Sequence, residues 1–201
     1  MINKKKNVGI FIFDQVEILD FAGPYEVFTS TRLVKKSTAN IHNIPCPFNV
    51  FTISEKKKNI ITTGNLSIKS DYSFSNFPRV DILIIPGGIG TRSLLKNSKV
   101  LKWIKNFDEK STIASVCTGA LLLAKAGLLL NRKATTHWGA LNLLKNISPT
   151  TTIIENKKFV FDKYYSSSGV SAGINMTLHI IEKFCGKIIA KNTSKYIEFD
   201  N

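Results

Sequence analysis

Arginine is scarce in this chain. Only Arg32, Arg79, Arg92 and Arg132 stand among its 28 basic residues, against 14 acidic ones, for a formal net charge of +14. So positive a balance invites a nucleic-acid reading. Bidentate contacts to bases and phosphates, however, draw mainly on Arg. The lysines are scattered among many Asn and Ile, as a codon bias would scatter them. The clusters Lys4 to Lys6 and Lys56 to Lys58 flank strand-like segments as solvated ends. No nucleic-acid partner is expected.

Cysteine is sparse too: Cys46, Cys117 and Cys185. An odd count at wide spacing argues against a disulfide framework. No CxxC or CxxH pair offers the ligand spacing of a metal site. No apolar run approaches the roughly 20 residues of a membrane span. The opening "MINKKKNVGIFIF" has the basic-then-apolar order of a secretory leader. Its apolar run is short, no small-residue cleavage site follows, and it leads into acidic "DQVEILD". It reads as a first buried strand of a cytoplasmic protein. Repeats and low-complexity linkers are lacking as well. The 201 residues, 43% of them hydrophobic, suit a single α/β domain over 1–201.

Strand-like and helix-like segments alternate, the pattern of an α/β fold with a mostly parallel sheet. Strands are expected at "VGIFIF" (Val8 to Phe13), "FNVFTIS" (Phe48 to Ser54), "DILIIPGG" (Asp81 to Gly88) and "STIASV" (Ser111 to Val116). Short strands should flank a turn at Gly64 and Asn65. "PYEVFTSTRLV" (Pro24 to Val34) reads as a helix with Pro24 in its first turn. "SKVLKWIKNFDEK" (Ser98 to Lys110) has the spacing of an amphipathic helix. Farther on come a helix "TGALLLAKAGLL", a strand "KATT", a helix "HWGALNLLKNI" and a strand pair "TTIIENKKFVF". "YYSSSG" leads into a long helix, "VSAGINMTLHIIEKFCG", and "KIIAKNTSKYIEF" forms a last one.

Ligands of open α/β sheets gather beyond the carboxyl ends of the strands. There "ASVCTGALLLA" places Cys117 between a strand and a helix, with Ser115 and Gly119 two residues to either side. Small neighbours are what a tight strand-to-helix turn needs, the logic of the nucleophile elbow with Cys in place of Ser. The helix start should lower the thiol pKa and favour thiolate. An inert core cysteine is the competing reading, and the elbow spacing favours the nucleophile. Gly87 and Gly88 could aim an N–H that, with that of Thr118, makes an oxyanion hole, or form a plain turn. In "EILDFAGPYEVF", Glu17 or Asp20 could serve as acid or base beside the thiol. Asp20 could equally cap the helix before Pro24. His137, in "ATTHWGA", could be a base for Cys117, orient a ligand or be structural. His42 and His179 lack such placement. "SSSGVSAG" (Ser166 to Gly173) could bind an anion but reads first as a close-packing turn.

Taken together, "LDFAGPYEVF", "DILIIPGG", "SVCTGALLLAKAGLL", "KATTHWGALNLL" and "SSSGVSAGINMTLHIIE" resemble the ThiJ/PfpI superfamily over about Val8 to Phe199. The resemblance implies a three-layer sandwich, the flavodoxin-like class I glutamine amidotransferase-like fold. Its isonitrile hydratase branch is the most similar. That branch implies Cys117 as nucleophile, Asp20 as the acid that handles proton and water, and Thr118 as support. It also implies a small-molecule substrate, no metal or organic cofactor, and a homodimer. The protease/amidase branch carries His directly after the nucleophile, where this chain has Thr118. The glyoxalase/deglycase branch usually carries Glu where this chain has Asp20. The same domain also serves as a sensor in AraC-type regulators, which continue into a helix-turn-helix domain.

Overall fold

The structure, a computed structural model, describes residues 4–36, 40–41, 43–56 and 59–199. His42, Lys57 and Lys58 lie outside these residues.

The chain opens with β1 (Lys6–Phe11), α1 (Ile18–Ser30) and β2 (Phe48–Ser54). A small hairpin of β3 (Asn59–Ile61) and β4 (Ser67–Lys69) precedes β5 (Tyr72–Ser73) and β6 (Ile82–Ile85). Next come α2 (Thr91–Leu94), α3 (Ser98–Lys105), β7 (Thr112–Val116) and α4 (Gly119–Lys125). Then β8 (Lys133–Ala134) leads through a 3-10 turn (Trp138–Ala140) to α5 (Leu141–Ile147) and β9 (Thr152–Ile153). The chain closes with β10 (Phe159–Phe161), β11 (Tyr165–Ser167), α6 (Ala172–Cys185) and α7 (Lys187–Tyr196).

Seven strands form the central sheet in the order β10-β11-β7-β6-β1-β2-β5. Every pairing is parallel except that of β10 with β11. The chain runs from β1 out to β2, then returns to β6 on the other side of β1 and continues outward to β7 and β11. Right-handed crossovers then place α1 on one face of the sheet and α3 and α4 on the other. α6 and α7 pack with α1, while α3 and α5 pack against α4. With both faces covered, the strands need no polar side: Ile10, Phe11 and all of Ile82 to Ile85 are fully buried. The reversal of direction between β1 and β6 opens a crevice at their carboxyl ends, where such folds bind ligands.

The expected order of elements holds, with several differences. α1 begins at Ile18, so Pro24 lies inside the helix instead of in its first turn. Proline there removes one hydrogen bond to the Asp20 carbonyl, while the helix buries Phe21, Val27 and Phe28. α3 stops at Lys105, short of Lys110. The two strands in "TTIIENKKFVF" do not pair with each other: β9 pairs with β8, and β10 with β11. Tyr165, Ser166 and Ser167, read as a lead-in loop, form β11 beside β7. Short polar strands carry too little apolar periodicity to declare themselves.

Two glycines set how closely the helices approach. A Cβ at Gly119 would lie 2.0 Å from the Ile85 carbonyl oxygen, so the first turn of α4 rests on the end of β6. A Cβ at Gly173 would meet Val116 Cγ1 at 2.9 Å, so α6 lies directly on β7. At Gly119 the neighbour is backbone and cannot yield. Gly119→Ala is expected to lower stability by about 3 kcal/mol or more, roughly 6–12 °C in Tm for a chain of this size. Thermal denaturation followed by circular dichroism measures it; an unchanged Tm would contradict the packing described.

Candidate active site

Cys117 follows the last residue of β7 and precedes the first residue of α4 by two positions. Its φ is 56°, in the left-handed region that a side chain with a Cβ occupies at a cost of about 1–2 kcal/mol. The backbone is pinned on both sides. Its N–H donates to the Ser167 carbonyl (3.2 Å), and its carbonyl accepts the Thr136 hydroxyl (2.7 Å). β11 and the segment after β8 thus hold the strained residue in place, as strain at functional sites requires. The strand-turn-helix geometry read from the small neighbours is present.

Asp20 belongs to the first turn of α1, yet it does not cap that helix: Glu17 occupies the N-cap position, without a side-chain cap bond. Asp20 is fully buried. Its Oδ2 accepts the Gly87 N–H at 2.9 Å, and its Oδ1 is enclosed with no hydrogen-bond partner. The end of β6 therefore fixes Asp20 over the crevice. Gly87 is small by necessity, since a Cβ there would lie 2.6 Å from the Thr118 nitrogen and 2.8 Å from Asp20 Oδ2.

Thr118 opens α4 and ties the same strand ends together. Its hydroxyl accepts the Gly88 N–H (3.0 Å) and donates to the Gly88 carbonyl (3.2 Å). Thr91, buried at the start of α2, adds contacts to Gly88 O (2.8 Å) and Thr118 Oγ1 (3.3 Å). The N–H groups of Gly87 and Gly88 are therefore already engaged, by Asp20 and Thr118. The expectation that either is free for an oxyanion hole is corrected: they shape the site by fixing those two residues.

The electrostatics run against one further expectation. Burial pushes the Cys117 thiol up to about 12, and the charge of Asp20 and its hydrogen bond with the thiol push the same way. The Thr118 N–H and hydroxyl oppose this and are outweighed. Desolvation and the nearby like charge thus oppose the thiolate that the helix start favours. Burial likewise raises Asp20 to about 7; the Gly87 N–H holds it down, the Glu17 charge raises it, and the bond with the thiol lowers it. A protonated thiol beside a carboxyl that titrates near neutrality is a pair able to pass one proton back and forth.

The remaining candidates lie at the margin. Glu17 accepts the Thr63 hydroxyl (3.2 Å), tying α1 to the β3–β4 hairpin. His137 accepts the Gly139 N–H on Nδ1 (3.2 Å), so that nitrogen is spoken for. Among the described residues no hydrogen bond joins His137 to Cys117. His179 packs its ring against Phe159 in α6. Ser166 accepts the Thr135 N–H (2.9 Å), which fits close packing at this point. The contacts of Thr91, Thr136 and Ser167 were not legible in the sequence. Thr136 stands in "TTHW", but nothing in that string marks a hydroxyl bound for a carbonyl 19 residues away. Among the described residues no group of His, Cys, Asp and Glu could hold a metal ion, and no helix is long and apolar enough to cross a membrane.

Asp20 binds its proton more tightly when folded, near pH 7, than its ordinary value of 3.8 allows in the unfolded chain. Its burial is thus without penalty below about pH 4 and destabilises increasingly as pH rises through 7. Asp20→Asn keeps the shape and can still accept the Gly87 N–H. It is expected to stabilise the protein at about pH 8 by up to about 4 kcal/mol, with the gain vanishing near pH 4. Urea denaturation at both pH values measures this; an equal effect at both would contradict the raised value.

The DJ-1/PfpI family model matches residues 6–183. The isonitrile hydratase of Pseudomonas putida is 29% identical over 195 residues, 96% of this chain and 78% of that protein. The HTH-type transcriptional regulator GbdR of Pseudomonas aeruginosa is 27% identical over 97% of this chain, which spans about half (51%) of the regulator. Among solved structures, a THiJ/PfpI family protein from Pseudomonas syringae superposes with a TM-score of 0.85 at 22% identity, covering 98% of this chain and 76% of that one. The strained cysteine at the end of β7 thus lies in a chain that belongs to the DJ-1/PfpI family.

Proposed function

We propose that the protein is a cysteine-dependent small-molecule enzyme of the isonitrile hydratase type. The observation that carries this is the buried pair of Asp20 and Cys117, each with a raised pKa. Similarity to an isonitrile hydratase over nearly the whole chain supports the substrate class. So do the engaged amides of Gly87 and Gly88, since amide hydrolysis leans on free oxyanion donors more heavily. Ile89 and Trp138, directly after Gly88 and His137, are exposed apolar side chains that could meet an apolar substituent.

The steps follow from the pair. As Sγ of Cys117 attacks the terminal carbon of R–N≡C, the Asp20 carboxylate takes the thiol proton. It returns that proton to the same carbon, which gives the thioimidate R–N=CH–S–Cys117. Asp20, again a carboxylate, removes a proton from water as the water oxygen adds to this carbon, and that proton goes to nitrogen. The tetrahedral adduct collapses, the C–S bond breaks, the hydroxyl proton returns to sulfur, and R–NH–CHO leaves. The Thr118 N–H, which favours the charged sulfur, steadies it during attack and departure. The protein is read as acting in the cytoplasm as a homodimer, without metal or organic cofactor.

A second reading has its own observation. A thiol held protonated up to about 12 suits a non-catalytic sensor, and the chain is similar to a transcriptional regulator over 97% of its length.

The test is formamide production from cyclohexyl isocyanide. The proposal expects turnover that Cys117→Ala abolishes and Asp20→Asn lowers by about 10²–10⁴-fold, with an acidic limb near pH 7 in kcat/KM. No turnover, or turnover indifferent to Cys117, would sink it. Conversion of methylglyoxal to lactate without formamide production would assign a glyoxalase instead. Saturable ligand binding with no turnover of any of these would favour the sensor.

A further inference from the structure

A second cleft, of about 580 Å³, opens between α3 and the segment that links β5 to β6. None of the residues that hold Cys117 or Asp20 lines it. Its walls are aromatic. Phe74 lies flat on Trp103, 4.0 Å between centroids with 8° between planes. Phe77 and Phe107 meet Trp103 edge-on, at 5.9 Å and 5.2 Å. Phe74, Phe77 and Trp103 are each only half-buried, so ring surface is left to solvent. The indole N–H of Trp103 is enclosed and has no hydrogen-bond partner, so an acceptor brought within its reach would relieve an uncompensated donor.

The rim has the opposite character. Lys99 is joined to Glu55 at 3.6 Å, and Asp108 accepts the Lys110 N–H on Oδ1. Arg79 and Lys102 are exposed at the rim, and among the described residues neither side chain has an ion pair or hydrogen bond. Two unpaired cations, Arg79 and Lys102, against the single carboxylate of Asp108, thus leave net positive charge beside an apolar recess whose volume falls within the ordinary range of small-molecule sites.

We propose that this cleft binds a small aromatic carboxylate. Its ring stacks offset or edge-on against Phe77 and Trp103, the arrangements aromatic pairs prefer. Its carboxylate meets Arg79, whose planar fork matches two oxygens, with Lys102 as a second point charge. Charge complementarity selects this occupant over an uncharged one. The site is separate from Cys117, so its existence does not depend on the reaction proposed above.

The chain has two tryptophans, so Trp138→Phe leaves Trp103 as the sole tryptophan, excited selectively at the red edge where the five tyrosines do not absorb. That protein is titrated with 3-phenylpropanoate and, separately, with the uncharged 3-phenylpropanamide. The proposal expects a saturable change in Trp103 emission with the carboxylate and binding of the amide at least about tenfold weaker. Replacing the exposed Arg79 and Lys102 together by Ala should weaken the carboxylate by a similar factor, with the far-ultraviolet circular dichroism unchanged. Cys117→Ala should leave the titration as it is. The proposal is overturned if no saturable change occurs, or if amide and carboxylate bind alike. It is equally overturned if loss of the two cations has no effect, or if Trp103 emission follows protein concentration while sedimentation shows a second copy covering the cleft.

Discussion

The thiol of Cys117 and the carboxyl of Asp20 sit in one dry space where α1, the end of β6 and the start of α4 converge. Neither group is accessible enough for water to stabilise its charge, so each holds its proton harder than it would in solution. Most of the surrounding architecture serves to keep them there. The reversal of chain direction between β1 and β6 makes the crevice. Gly87 grips Asp20 through its N–H, Thr118 grips Gly88, and Thr136 and Ser167 hold the backbone of Cys117. Removing the charge of Asp20 would ease the fold while disarming the pair, the usual opposition between stability and function at a strained site.

A protonated resting thiol changes how nucleophilic attack must start. In the proposed reaction, activation falls to Asp20, which titrates close enough to neutrality to act as base in one step and acid in the next. That requirement is shared by any chemistry in which one proton travels with the sulfur. It suits addition to a carbon that must be both attacked and protonated. Both an isonitrile hydratase and a transcriptional regulator are similar to this chain.

Much of this was legible in the sequence, for reasons that differ by residue. Cys117 stood out because Ser115 and Gly119 are small where the backbone must pass close, and the 2.0 Å approach of a Cβ at Gly119 to Ile85 O is that constraint made visible. The buried strands β1, β6 and β7 announced themselves as apolar runs. Asp20 was named, but its setting was misjudged. Pro24 suggested a helix beginning there, whereas burial of Phe21 and its neighbours carries the helix back to Ile18. A helix start that favours thiolate is local and readable, while the desolvation that opposes it depends on how the whole chain closes over the site. Thr91, Thr136 and Ser167 act through contacts across long stretches of chain that no local pattern encodes.

The central claim is that Asp20 and burial together keep the Cys117 thiol protonated. Ultraviolet titration of thiolate absorbance, with Cys46→Ser and Cys185→Ser in place and the same protein carrying Cys117→Ala subtracted to remove the signal of the five tyrosines, measures it directly. The account predicts a thiol that titrates well above its ordinary value of 9.0, toward about 12, and a clear fall when Asp20→Asn removes the neighbouring charge. A thiolate already formed at neutral pH, or a titration indifferent to Asp20→Asn, would contradict it.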